Sequence, residues 1–149
     1  MTDQPNQQIP LEVRLGFAMI GIIAGNAVLL IFSFWIHNVE FFVPYAAFAI
    51  PGWILVGIPV ALAFPARLVT GAWWPIVCLA IGPALGPVTL QVIFIVLSAL
   101  EGDFRNFSLA HTGWDYLLSI AASTVSFVVY AALLRKRLLE QQHDWEAGA

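Results

Sequence analysis

The sequence predicts an all-α membrane protein: a bundle of four transmembrane helices, with the second and third kinked or broken by proline and glycine. Three observations lead there. Of the 149 residues, 60% are hydrophobic and only 10% are charged, against roughly a quarter charged in an ordinary soluble domain. Such a chain has too few polar groups to cover a water-facing surface. Four apolar stretches, each long enough for a hydrocarbon core of about 30 Å, take up most of the chain. Proline and glycine crowd two of them.

The first helix is expected over Leu15 to Ile36, the second over Val43 to Ala66, the third over Trp73 to Leu97 and the fourth over Trp114 to Leu134. Residues 1–14 are expected to be a polar cytoplasmic N-terminus, 15–134 the four-helix transmembrane domain, and 135–149 a solvated cytoplasmic tail that extends the last helix by a turn or two before fraying. The first ten residues carry no positive charge, and the apolar run after them is longer than a signal-peptide core. The first helix is therefore expected to be retained rather than cleaved.

Orientation follows from the basic residues. Arg14, Arg67, Arg135, Lys136 and Arg137 fall on one side, and Arg105 alone on the other. Both termini are therefore expected in the cytoplasm, in a plasma or inner membrane. Trp35, Phe41, Phe42, Tyr45, Trp114 and Tyr116 mark the outer interface, and Trp73, Trp74 and Tyr130 the inner one. Trp53 fits neither belt. Either it packs inside the bundle, or Phe41 to Pro51 is not a normal spanning segment.

A net charge of -3 gives no reason to expect a nucleic-acid partner. The single cysteine, Cys78, excludes an intrachain disulfide and reads as a small buried hydrophobe. No charged residue lies within the four spans, and the chain has neither a nucleophile elbow nor a zinc-binding His pair. An enzyme is not expected, and no cofactor or metal is implied.

Four sets of residues are the candidates for function. Gly21 and Gly25 in the first helix and Gly82 and Gly86 in the third form two GxxxG pairs, which with Ala18 let backbones approach closely. They either pack the four helices against each other or face another protein or another copy. The second set is the run of helix breakers: Pro44, Pro51-Gly52, Gly57, Pro59 and Pro65 in helix 2, and Gly82-Pro83 and Gly86-Pro87 in helix 3. Each proline removes a backbone donor and crowds the preceding turn. The carbonyls freed in lipid need partners, whether side chains such as Thr89 or a ligand at a discontinuous helix.

The third set is polar: Asn26 in helix 1, Thr89 and Gln91 in helix 3, and Ser119, Ser123, Thr124 and Ser126 in helix 4. These either cross-link the bundle or, through Asn26, Gln91 and Ser123, form a polar path or a partner contact. The fourth set lies outside, where His37, Glu40, Glu101, Asp103, His111 and Asp115 share a face without matching a metal-ligand pattern. There Phe104 and Phe107 suit an interfacial or partner contact, and Arg105 can pair with Asp103. Finally, shifting the chain by 61 residues lays Gly21 over Gly82, Gly25 over Gly86, Glu40 over Glu101, and Gly52-Trp53 over Gly113-Trp114. This is a faint sign of a duplicated two-helix unit.

Together these features favour a non-enzymatic membrane protein surrounded by lipid that binds another integral membrane protein, as an accessory subunit or an immunity-type protective protein. Gly21, Gly25, Asn26, Gly82, Gly86 and Gln91 would carry the packing or partner contacts. The alternative is a small channel or carrier acting as a homo-oligomer, its path lined by Pro51, Gly52, Pro83, Pro87, Thr89, Gln91 and Ser123.

Overall fold

A computed structural model describes residues 9–36, 42–101 and 113–148. Regular structure among them is entirely helical: α1 (Leu11–Trp35), α2 (Phe42–Gly52), a π-helical turn (Trp53–Gly57), α3 (Ile58–Ala63), α4 (Ala66–Thr70), α5 (Trp74–Glu101) and α6 (Gly113–Gly148). Three helices are long and apolar enough to cross a membrane: α1, α5 and α6. Their outward faces carry large apolar side chains, among them Ile23, Ile31 and Leu79 with about two thirds of their surface open. In water such faces would be costly. Against lipid tails they are the solvent-compatible side.

The organising element is α6. It packs along α1 on one flank and along α5 on the other, while the α2–π–α3 segment closes the square by touching both α1 and α5. The residue types explain the arrangement. Without a hydrophobic force between helices in lipid, close backbone approach and polar contacts decide which faces meet. The inward face of α6 is built from Ser119, Ala122, Ser123 and Ser126 along its first half, and α1 and α5 offer glycines to it. Towards the other end α6 becomes bulky. There Phe127, Tyr130, Ala131, Leu134 and Leu138 form the core with Ile9, Ala18, Ala61, Phe64, Val69, Cys78 and Leu85.

Helix α5 is one unbroken α-helix with Pro83 and Pro87 inside it. Of the kink or break expected at the two Gly-Pro pairs, the structure shows no break. Glycines at 82 and 86 let α6 lie close enough to support the turns around both prolines, and one α6 hydroxyl reaches a carbonyl there.

The second segment also stays helical through Pro51, then widens instead of ending. The amide of Ile58 bonds back five residues to the carbonyl of Trp53. Pro59 follows at once, and a proline ring clashes with the carbonyl four residues before it. A π-turn opens that spacing, one of the local adjustments by which a proline-bearing helix in lipid keeps its backbone groups satisfied. The segment stops at Ala63 rather than Ala66, because Phe64 precedes Pro65 and both residues take extended backbone, with ψ of 123° and 122°.

Beyond Leu134, α6 runs on to Gly148, well past the turn or two expected. It is held because the turn after Leu134 is not solvated: Leu138 is 2% exposed, packed in the cluster that includes Ile9 and Val69. The start of α1, the Phe64-Pro65 corner, α4 and the extension of α6 thus meet at one end of the bundle.

Candidate functional site

The sequence candidates inside the bundle converge on α6. A Cβ added to Gly21 would lie 2.6 Å from the carbonyl oxygen of Ser126, and one on Gly25 would lie 2.8 Å from that of Ala122 and strike the Ser126 hydroxyl. On the opposite flank, a Cβ on Gly82 would lie 2.9 Å from Thr124 Cα, and one on Gly86 would lie 2.8 Å from the Ile120 amide nitrogen. Three of these four clashes are with backbone, which a rotamer change cannot relieve, and the fourth, at Gly25, meets backbone as well as a hydroxyl. The two GxxxG pairs are therefore the two flanks of a single joint, closed within one chain around α6.

Polar side chains tie the same joint. The Ser123 hydroxyl donates to the Gly82 carbonyl at 2.7 Å, sharing its proton with the Ile120 carbonyl at 3.1 Å. Thr124 donates to Ile120 O at 2.6 Å and Ser119 to Tyr116 O at 2.9 Å. Near the other end of α5, the Gln91 amide donates to the Tyr116 hydroxyl at 3.0 Å, a side-chain cross-link from α5 to α6. Thr89 turns its methyl towards Gly52, where an added Cβ would also meet Ile93 Cδ1 at 2.8 Å. Hence Gly52 is a close contact of α2 on α5. Pro51 is exposed, and Pro83 and Pro87 are half-buried.

Asn26 stands apart from this set. Its amide nitrogen donates to the Ile22 carbonyl of its own helix at 2.9 Å, while its Oδ1 is buried with no donor in reach. The Ser126 hydroxyl, pressed against Gly25, is likewise buried without a partner. A half-satisfied carboxamide in mid-span is the kind of group that draws helices together in lipid.

A second cluster lies at the end where the termini meet. Arg14 donates to the carbonyls of Leu62, at 2.5 Å, and Phe64, at 2.7 Å. The Tyr130 hydroxyl donates to the carbonyl of Ala61. The last carbonyls of a helix have no intrahelical partner, and Pro65 forbids the turn that would otherwise follow. An arginine from α1 and a tyrosine from α6 therefore serve as the C-terminal cap of α3. Phe64 adds an edge-on contact with Phe127, ring centroids 5.2 Å apart. On the other side of α6, the Arg135 guanidinium lies 5.1 Å from the centre of the Trp74 ring.

Several of these roles were not anticipated from sequence. In the sequence Arg14 marks only topology and Tyr130 only an interface, yet an arginine just inside a helix and a proline corner elsewhere are a recognisable donor–acceptor pair. Trp53 is buried, its indole lying over Gly57 across the π-turn. That resolves its poor fit to either aromatic belt in favour of packing inside. His37, Glu40, Phe41, Asp103, Phe104, Arg105, Phe107 and His111 lie outside the described residues, as do the side chains of Pro44, Tyr45, Arg67 and Glu101.

Comparison with protein-family models, with curated proteins and with solved structures gave no match for this chain. The functional reading rests on the geometry.

Proposed function

We propose that this chain is a four-span, non-enzymatic integral membrane protein that works by binding another integral membrane protein, as an accessory subunit or an immunity-type protective protein. In this reading α2, the π-turn and α3 act together as the fourth span: 11, 5 and 6 residues of continuous helix, about 33 Å at 1.5 Å per residue. Both termini lie on the cytoplasmic side, as the basic residues of the sequence suggest.

One observation carries the proposal. Four glycines and two of the polar side chains inside the spans are engaged between helices: Gly21, Gly25, Gly82 and Gly86 against α6, Ser123 on Gly82, and Gln91 on Tyr116. A conducting path needs polar groups turned towards a passage. Here they fasten the helices together instead, and that favours a preformed scaffold over a carrier. A scaffold of this kind acts through its outer faces, so the partner meets surface that faces lipid in the isolated chain. The glycines then support the binding surface from behind rather than forming it.

The test is to tag the C-terminus, extract native membranes in a mild detergent and identify what copurifies at stoichiometric ratio. A second integral membrane protein in fixed ratio supports the reading. A pure homo-oligomer that conducts solute in liposomes, with flux altered by Gln91→Leu, would replace it with a channel or carrier.

A further inference from the structure

The three basic residues that end the apolar part of α6 are not equivalent. Lys136 and Arg137 are exposed and each reaches Glu140, at 4.0 and 3.5 Å. Arg135 is half-buried and reaches no carboxylate among the described residues. Its guanidinium stacks on Trp74, and its Nε is closed off from solvent without an acceptor. A partly buried cation is costly unless an anion meets the part of it still open, which here is the Nη end of the guanidinium.

The depth of the site suggests what that anion is. Arg135 follows Leu134, which is fully buried, at the level where α6 leaves its apolar run. Trp73, next in sequence to Trp74, is 71% exposed, and tryptophan gathers at the headgroup level of a bilayer. Trp74 opens α5, so the positive end of a 28-residue helix dipole points to the same place.

We propose that Arg135 and Trp74 form a binding site for the phosphate of an anionic phospholipid in the leaflet on the α4 side. The Nη end of the guanidinium presents paired N–H donors that match two phosphate oxygens, the Nε being closed off. The Trp74 face holds the guanidinium plane in a fixed direction, so the fork is set before the lipid arrives. Basic residues between helices near the membrane surface are a known way to hold an anionic headgroup. Lys136 and Arg137, already paired and exposed, add only diffuse attraction.

The experiment uses the full chain in nanodiscs of mixed phosphatidylglycerol and phosphatidylcholine, with native mass spectrometry counting the lipids retained on release. Wild type is expected to keep phosphatidylglycerol in preference to phosphatidylcholine. Arg135→Gln should lower that retention roughly tenfold, as expected for loss of a bidentate charged pair, while Lys136→Gln leaves it unchanged. No preference in the wild type, or equal losses in the two variants, would overturn the site. Displacement of the lipid by inorganic phosphate would make the ligand a free anion and overturn the lipid assignment.

Discussion

Ser126 of α6 lies so close to Gly25 of α1 that a methyl group on Gly25 would occupy the place of the serine hydroxyl. The same relation recurs on the far flank, where Gly86 meets the backbone of Ser119 and Ile120. One helix therefore serves as the common wall for both glycine pairs, and the bundle is as thin as its backbones allow.

Bulky residues at the glycines should unfold the joint rather than leave a folded protein that has lost a partner. Gly21→Leu and Gly82→Leu each drive side-chain atoms into the backbone of α6, an overpacking cost of about 1–3 kcal/mol or more. Reversible unfolding in mixed detergent micelles would measure it. A folded Gly82→Leu protein of wild-type stability would remove α6 as the surface that Gly82 meets.

The cap on α3 gives a graded series. Tyr130→Phe removes only the hydroxyl that reaches Ala61 and should cost about 0.6–2 kcal/mol, the range for a hydrogen bond within a membrane bundle. Arg14→Met frees the carbonyls of both Leu62 and Phe64 and should cost more, about 1.5–3 kcal/mol for each charged hydrogen bond at most. The same unfolding titration ranks the two, and a larger loss for Tyr130→Phe would contradict the assigned roles.

Gly57→Ala should displace the Trp53 indole, because the new methyl falls on the ring itself. In a background where Trp53 is the only tryptophan, its fluorescence should shift as the ring leaves the buried site. An unchanged spectrum would place the indole elsewhere.

Gln91→Leu and Tyr116→Phe break the same cross-link from opposite sides. Each should cost about 0.6–1.7 kcal/mol, and the double variant no more than the larger single loss. Full additivity would show that the two side chains act independently.

Much of the fold was legible in the sequence because the signal was chemical and long-range in length: runs of apolar residues, their charged ends and their aromatic flanks. Three long apolar helices, α1, α5 and α6, coincide with three of the four expected runs. What the residues did not reveal was the response to proline. Whether a Gly-Pro pair breaks a helix depends on what lies against it. In α5 the close backbone of α6 supports Pro83 and Pro87 within a continuous helix, while beside Pro59 the chain answers with a π-turn. The length of α6 was hidden for a similar reason. Its polar extension reads as solvated, but Leu138 is buried in a cluster whose other members, Ile9 and Val69 among them, are distant in sequence. Of the candidate site, the residue types were visible and their partners were not. A GxxxG pair states that something comes close without stating which helix it is.

The claim on which the rest depends is that the glycine faces are closed inside the chain, and a double-mutant cycle on Gly25 and Ser126 tests it most directly. Gly25→Ala alone should destabilise the protein, by about 1–3 kcal/mol. Adding Ser126→Gly, which removes the hydroxyl in the way, should restore a large part of that loss and give a coupling of about 0.5–3 kcal/mol, as for residues in contact. Strictly additive effects would contradict the account, and would mean that Gly25 faces lipid or another protein rather than α6.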